Sequence, residues 1–329
     1  MTIQSEMKQL SVSIIIPAFN EENFINHCLE SIVNLHPTNL DKEILVVDNG
    51  SSDKTAEICK SYGAIVLTKK DGTIGSLRNY GAKYSKGKVV AFLDADCVVP
   101  ENWLEKALTY LNGDGRVILG FRLSIPEHSN WVAKSWDLLF AKRYFTGEAD
   151  WIPSGNMIMT REAFLSINGF DEKLETNEDY DFCARMRKQG YRIISSSDTS
   201  IIHLRPPRTL KQIFKKELWH GKEVLKVFMS DIRRSKDMYV FKRRNFKVTL
   251  YAFCYLIFTL FLLFSLIIAI STKIFLPLFV SVFFPIVISF SMALQRTRLI
   301  KRYNLTLGLT VLFLIYGFSR AISLLNYRK

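Results

Sequence analysis

The sequence predicts an α/β protein with a mostly parallel, doubly wound sheet, followed by an amphipathic segment and membrane-spanning helices. Between residues 12 and 99, short apolar runs alternate with helical patterns, and strands that alternate with helices pair in parallel. After residue 247, three apolar runs reach the roughly 20 residues that cross a hydrocarbon core. Together these two observations predict a catalytic or binding domain ahead of a membrane domain.

The first predicted strand covers residues 13–16 and ends at Pro17, because proline cannot donate to a sheet ladder. Glu21 and Glu22 suit the first turn of the next helix, where the helix dipole favours negative charge. Two interpretations are open. Either the acidic pair simply caps the helix, or Asn20 and Glu21 face the crevice and contact a ribose.

The second strand, at residues 43–47, leads into Asp48. A carboxylate at that strand end can accept a hydrogen bond from a base N–H or a sugar hydroxyl. A third short strand follows at residues 64–67, and a helix that contains Arg78 leads into the fourth. Arginine is usually a surface cation, but an acidic cleft that takes an anionic ligand needs a cation, and arginine binds such ligands in a bidentate manner.

The fourth strand, at residues 89–93, is followed by Asp94 and Asp96. In open α/β sheets, ligands bind outside the carboxyl ends of the strands. Two neighbouring carboxylates repel each other unless a cation or a proton offsets their charge, and oxygen ligands suit Mg²⁺ or Mn²⁺. The alternative is a strand end with two solvated aspartates.

Four motifs in order resemble family 2 inverting glycosyltransferases of the GT-A fold. They are Ile-Pro-Ala-Phe-Asn-Glu (16–21), Val-Asp-Asn-Gly-Ser-Ser-Asp-Lys-Thr (47–55), Arg78 and Leu-Asp-Ala-Asp-Cys (93–97). The resemblance extends over about the first 200 residues and includes Gly155-Asn156, which is similar to the segment that lines the donor sugar. It implies a Rossmann-like GT-A domain that binds a nucleotide-diphosphate sugar.

The resemblance also implies roles for individual residues. Glu178-Asp179-Tyr180-Asp181 is similar to the family's Glu-Asp-x-Asp motif, whose second residue is the catalytic base, here Asp179. The alternative is that these acids merely favour a helix N-terminus. The implied metal ligands are Asp96, Asp94 and His203, the last being either a ligand or a structural residue. The implied donor-binding residues are Pro17, Ala18, Asn20, Glu21, Asp48, Arg78, Asp94, Asp96, Gly155 and Asn156.

The positive charge is concentrated near the membrane half. The net charge is +13, but residues 1–204 hold 22 basic and 27 acidic residues, which argues against nucleic-acid binding. Residues 205–247 hold 14 basic and 4 acidic residues, and such clusters attract anionic lipids. We therefore expect an anionic membrane surface as a partner.

The predicted organisation is a GT-A domain at 1–209, a basic amphipathic juxtamembrane segment at 210–247 and a membrane domain at 248–329. An ordinary domain-covering helix is the alternative for residues 210–229. Spans are expected at 248–270, 274–294 and 305–325, with Arg320 snorkelling to the interface. Basic residues crowd before the first span and between the second and third, so the catalytic domain should face the cytoplasm.

The combined prediction is a membrane-anchored, inverting glycosyltransferase of the cytoplasmic (inner) membrane, dependent on Mg²⁺ or Mn²⁺. It would move a sugar to a hydroxyl acceptor, lipid-linked or membrane-proximal, in cell-envelope glycan biosynthesis. Two alternatives are a polyprenyl-phosphate sugar synthase and a catalytically silent GT-A membrane scaffold.

Overall fold

The protein is described by a computed structural model that covers residues 11–36, 40–112, 115–139, 145–221, 229 and 244–325. The chain folds into two compact units. The first comprises residues 1–126 and 142–205, and the second comprises residues 127–141 and 206–329. This division groups residues 127–141 with the C-terminal helices, whereas the predicted domain boundaries at 209 and 247 remain predictions.

Strands and helices alternate at the start of the first unit. They are β1 (Val12–Ala18), α1 (Ile25–Val33), β2 (Lys42–Asp48), α2 (Thr55–Ser61), β3 (Ile65–Thr68), α3 (Ile74–Tyr84) and β4 (Val89–Leu93). Strands β1, β2, β3 and β4 form parallel pairs. Every residue of β1 and β4 is buried, because both faces of the sheet are covered, and this explains their uninterrupted apolar runs.

The remaining elements up to residue 203 are the other strands of the sheet and the helices between them. Of these helices, α5 belongs to the second unit. They are β5 (Cys97–Val98), α4 (Trp103–Leu111), β6 (Val117–Ser124), α5 (Trp131–Leu138), β7 (Gly147–Glu148), β8 (Asn156–Thr160), α6 (Arg161–Leu165), α7 (Glu178–Lys188) and β9 (Arg192–His203). The strand order in the described residues is β3-β2-β1-β4-β8-β6-β9-β5, with β7 paired to β9. The predicted α/β class is confirmed, with β8 antiparallel to β4.

The second unit is helical beyond residue 205 in the part of the chain that is described. Its elements are α8 (Leu210–Gly221), α9 (Arg244–Thr272), α10 (Leu276–Ile300), a 3-10 turn (Tyr303–Leu305) and α11 (Thr306–Leu325). Three stretches, at 249–272, 276–300 and 303–325, are long and apolar enough to cross a membrane. The predicted candidate spans are confirmed in number and within a few residues in position, which indicates membrane association.

Helix α8 packs by one face within the second unit. Ile213, Glu217 and Gly221 are buried, and a spacing of four residues places them on one side of the helix. Glu217 forms an ion pair with Arg320 of α11, with 2.7 Å between the nitrogen and the oxygen. The expectation that Arg320 snorkels to the interface is wrong, because this side chain is buried and paired within the unit. Most of the predicted juxtamembrane segment beyond residue 221 lies outside the described residues.

Candidate active site

The carboxyl ends of β1, β2 and β4 meet at one edge of the sheet. Ala18 and Asp48 are register partners in the parallel β1–β2 pair, and Asp94 follows β4 on the other side of β1. Because neighbouring strands lie about 4.8 Å apart, Asp48 and Asp94 are separated by about 10 Å at the backbone. The predicted donor residues Pro17 and Ala18 are buried at this same edge.

Asp48 organises the loop that follows β2. It is almost fully buried, and its carboxylate accepts hydrogen bonds from the Ser51 backbone N–H at 3.2 Å and from the Ser51 hydroxyl at 2.5 Å. Asn20 has a left-handed backbone with a φ of 54°, a conformation that asparagine tolerates. The Oδ1 atom of Asn20 accepts a hydrogen bond from the Ser52 N–H at 2.9 Å. These contacts join the β1–α1 and β2–α2 loops, and the predicted contacts of Asp48 and Asn20 with the donor remain predictions.

Arg78 is a buried cation that connects three segments. Its side chain is 2% exposed, with Asp94 at 2.6 Å and Glu178 at 3.3 Å. It also donates a hydrogen bond to the Ser154 hydroxyl at 2.6 Å. The described partners of this guanidinium are therefore protein groups, and we infer a positioning role for it in addition to the predicted one. Arg78 holds the loop after β4, the residues before β8 and the start of α7 together.

Gly155 and Asn156 fill the space beside this cation. A Cβ at Gly155 would overlap with the Asp94 carboxylate, so glycine is required for the close approach of the two segments. Asp94 donates its backbone N–H to the Gly155 carbonyl at 3.2 Å. The Asn156 side chain is fully buried and exchanges hydrogen bonds with the backbone of Phe121. Asn156 thus fixes β6 against β8, and its predicted contact with the donor remains a prediction.

A second cluster contains Glu21, Asp96, His203 and Arg205. The antiparallel register pairs Cys97 with His203, which brings Asp96 beside the end of β9. The His203 Nε2 atom lies 3.6 Å from the Asp96 Oδ2 atom, and the Arg205 Nε atom lies 3.3 Å from that same oxygen. Arg205 also contacts the Oε1 atom of Glu21 at 2.6 Å. Two cationic or basic groups therefore converge on one carboxylate oxygen.

The electrostatics of this cluster are dominated by negative charge. Burial raises the pKa of Glu21, Arg205 opposes that shift, and the nearby Asp96 and Asp94 carboxylates raise the pKa further. Burial lowers the pKa of Arg205, but the Glu21 and Asp96 carboxylates raise it by more, so the net shift is upward. Among the described residues, the buried Oε2 atom of Glu21 has no hydrogen-bond partner. The cluster therefore has the character of a cation site.

Asp96 and His203 could contribute one carboxylate oxygen and one imidazole nitrogen to a divalent metal ion. The described part of the chain contains no group of three or more His, Cys, Asp or Glu side chains placed to hold a metal ion. One oxygen of Asp94 contacts Arg78, so a metal ion could use the other Asp94 oxygen besides the Asp96 carboxylate and the His203 imidazole. Mg²⁺ is commonly held by one or two carboxylates together with substrate phosphates, and these side chains are compatible with that mode of binding.

The predicted base lies at the start of α7. Asp179 is partly exposed, and its Oδ1 atom accepts a hydrogen bond from the Tyr180 N–H at 2.7 Å. Its neighbour Glu178 is buried against Arg78, whereas Asp181 forms an i, i+4 ion pair with Arg185 at 2.7 Å. The motif therefore has three different environments, and only its central carboxylate combines partial exposure with a position next to the Arg78 cluster.

Sequence reasoning missed two residues of this site, Ser154 and Arg205. Ser154 bridges Arg78 and Glu178, since its hydroxyl donates a hydrogen bond to Glu178 at 2.7 Å. Arg205 lies two residues beyond His203, and this spacing was the only local signal for its role. Its partner Glu21 is 184 positions away in the chain, a distance over which no sequence period carries information.

In doubly wound α/β sheets, ligands bind outside the carboxyl ends of the strands at a topological switch point. The acidic side chains Asp48 and Asp94 lie at that edge of this sheet. Residues 13–174 match Glycosyl transferase family 2. The chain thus carries a glycosyl transferase family 2 domain, and the resemblance stated from its motifs is confirmed.

Similar proteins agree with this assignment. The chain is 28% identical over 229 residues to the glycosyltransferase AglE of Haloferax volcanii, and the aligned residues cover 67% of this chain and 75% of AglE. It is 36% identical over 106 residues to the minor teichoic acid biosynthesis protein GgaB of Bacillus subtilis, covering 30% of this chain and 12% of that protein. The mannosyltransferase PcManGT of Pyrobaculum calidifontis, solved with GDP-Man and Mn²⁺, matches over 95% of this chain and 87% of its own, with a TM-score of 0.60 and 16% identity. At that identity the likeness shows the fold.

Proposed function

We propose that the protein is a membrane-anchored, inverting, metal-dependent glycosyltransferase of cell-envelope glycan biosynthesis. The donor would be a nucleotide-diphosphate sugar bound at the carboxyl edge of the sheet. The observation that carries the proposal is the Arg78 cluster, in which one buried cation contacts both Asp94 and Glu178. That contact ties the acidic strand end to the first turn of the helix that carries Asp179.

The chemistry follows from these positions. Asp96, His203 and the Asp94 oxygen that does not contact Arg78 would hold Mg²⁺ or Mn²⁺, which would offset the negative charge of the leaving diphosphate when bound. Asp179 would accept the proton of the acceptor hydroxyl while that oxygen forms a bond to the anomeric carbon. The bond from that carbon to the diphosphate oxygen breaks on the opposite face, so the configuration inverts. General base catalysis of this kind contributes typically about 10²- to 10⁴-fold.

The membrane part of the proposal rests on composition. Three helices have the length and apolarity of membrane spans, and the basic residues that precede them favour the cytoplasmic side. We propose that the chain is a multi-pass protein of the inner membrane with its family 2 domain in the cytoplasm. A hydrophobic, lipid-linked acceptor suits an enzyme anchored in this way. The relation to GgaB, a teichoic acid biosynthesis protein, supports a role in the cell envelope.

The test is the substitution Asp179→Asn in the full-length, membrane-embedded protein. We expect turnover to fall by about 10²-fold or more, because the general base is lost, while donor binding with Mn²⁺ is unchanged. Asp198→Asn is the matched control, since Asp198 is exposed and its described partners include Tyr110. Full turnover in Asp179→Asn would refute the role of this residue.

Two assays distinguish the alternatives. Labelled donor is incubated with membranes and polyprenyl phosphate, and labelling of that lipid alone would identify a polyprenyl-phosphate sugar synthase. Diphosphate release from a panel of nucleotide sugars, measured with Mg²⁺ or Mn²⁺ and without acceptor, detects slow donor hydrolysis. Complete absence of release and of donor binding would favour the catalytically silent membrane scaffold.

A further inference from the structure

Arg205 is the cation that sits among the carboxylates of the candidate metal site. Its guanidinium contacts the Glu21 Oε1 atom at 2.6 Å and the Asp96 Oδ2 atom at 3.3 Å, while 53% of the side chain remains exposed to solvent. It also lies over the ring of Phe24, 5.3 Å from the ring centre. Arg205 follows the end of β9. Its contacts are made by a long, half-exposed side chain that is not enclosed in the core.

Arg205 contacts one oxygen of the carboxylate that would hold the metal ion. His203 Nε2 and Arg205 Nε both approach the Oδ2 atom of Asp96. Asp96 and His203 would hold a divalent ion beside this oxygen, and the ion and the guanidinium would repel each other at close range. Arg205 would therefore oppose the binding of a metal ion at this carboxylate.

Once displaced from Asp96, the Arg205 guanidinium could bind the diphosphate of the donor. Planar guanidinium groups bind phosphate oxygens in a bidentate manner, and the diphosphate of a donor would lie on the metal at this same rim. The Glu21 Oε2 atom is buried and has no hydrogen-bond partner in the described structure, so the positive charge that Arg205 takes away has to be replaced. The metal ion would supply the positive charge that replaces the charge of Arg205.

We propose that Arg205 is an exchangeable counter-cation, which neutralises Glu21 and Asp96 before the donor arrives and then binds the donor diphosphate once a divalent ion takes its place at Asp96. This inference rests on the proposed function. It has a thermodynamic consequence. The metal ion binds weakly alone because it must displace Arg205, and metal and nucleotide strengthen each other's binding reciprocally.

The experiment compares the full-length protein with Arg205→Gln, Arg205→Lys and the control Arg192→Gln. Arg192 also pairs with a carboxylate, is exposed to a similar extent at 55%, and lies at the other end of β9. Binding of Mn²⁺ alone is measured by electron paramagnetic resonance, and binding of UDP or GDP at saturating Mn²⁺ is measured by calorimetry. Thermal melting checks that each variant is folded.

We expect Arg205→Gln to bind Mn²⁺ alone about 1.5-fold to fivefold more tightly, the range for a partly exposed ion pair. The same variant should bind the nucleoside diphosphate about tenfold more weakly at saturating Mn²⁺. Arg205→Lys keeps the charge, so both of its affinities should lie between those of Arg205→Gln and those of the unaltered protein. Arg192→Gln should change neither affinity.

An unchanged or weaker Mn²⁺ affinity in Arg205→Gln would overturn the exchange, even if nucleotide binding were lost. In that case the proposed function stands, because the unaltered protein still binds metal and nucleotide together. If the unaltered protein binds neither Mn²⁺ nor a nucleoside diphosphate, the proposed function itself fails and the inference fails with it.

Discussion

Removing the charge of Arg78 should destabilise the family 2 domain strongly. Glu178 is 9% exposed and Asp94 is 39% exposed, so Arg78→Met leaves one nearly buried carboxylate and one partly solvated carboxylate without their cation. Breaking a buried pair in this way costs about 3–5 kcal/mol, and the Glu178 contact accounts for most of it because solvent screens Asp94. For a unit of this size the cost corresponds to a fall in melting temperature of about 6–20 °C.

A double-mutant cycle separates this electrostatic effect from a general loss of packing. Glu178→Gln removes the uncompensated charge, so Arg78→Met combined with Glu178→Gln should be less destabilised than the sum of the single variants by about 1–3 kcal/mol. The measurement is thermal or denaturant unfolding of the purified protein in detergent. Arg192→Met is the control, because that exposed pair with Glu148 should contribute at most about 1 kcal/mol. Strict additivity in the cycle would refute the reasoning.

Three further predictions follow from the described contacts. Gly155→Ala should lower donor affinity about tenfold or more and cost about 1–3 kcal/mol by overpacking, because its Cβ overlaps a held carboxylate; Gly147→Ala, which meets open space, should be neutral in the same donor titration. Glu217→Leu should cost about 3–5 kcal/mol in unfolding experiments because Arg320 is left buried without a counter-charge, and adding Arg320→Leu should recover most of it; no recovery would show that the pair is not the cause. Burial raises the pKa of Asp53, but hydrogen bonds at the start of α2 lower it by more, to below its ordinary 3.8. The stabilisation that the Asp53 carboxylate gives is therefore complete above pH 3.8 and is lost as the pH falls through the lowered pKa. The difference in stability between the unaltered protein and Asp53→Asn should therefore disappear in acid. A difference that does not change with pH would contradict this role of Asp53.

Local pattern determined the class of fold and the ends of its strands. Uninterrupted apolar runs favour buried strands of a covered sheet when they are short and membrane helices when they reach about 20 residues. Asp48 therefore appears at the end of β2 and Asp94 just after β4, as predicted. The three apolar helices after residue 244 follow from the same reasoning.

The sequence did not predict which groups the buried charged side chains contact. The predicted donor-binding role of Arg78 stays a prediction, but the local pattern did not reveal its contacts with Ser154 and Glu178, which lie 76 and 100 positions further along the chain. Arg320 looked like a snorkelling residue, but it pairs with Glu217. In both cases the outcome depends on which distant carboxylate shares the buried volume, because an isolated buried charge is too costly to persist.

The sequence by itself thus determined the alternation of strands and helices, the acidic strand ends and the candidate membrane spans, since each depends on residues within one turn or one strand. Only the tertiary structure decided that Arg205 reaches Glu21 and that Asp96 lies beside His203. Those neighbours are set by the antiparallel register of β5 against β9, a long-range pairing that no local hydrophobic period encodes.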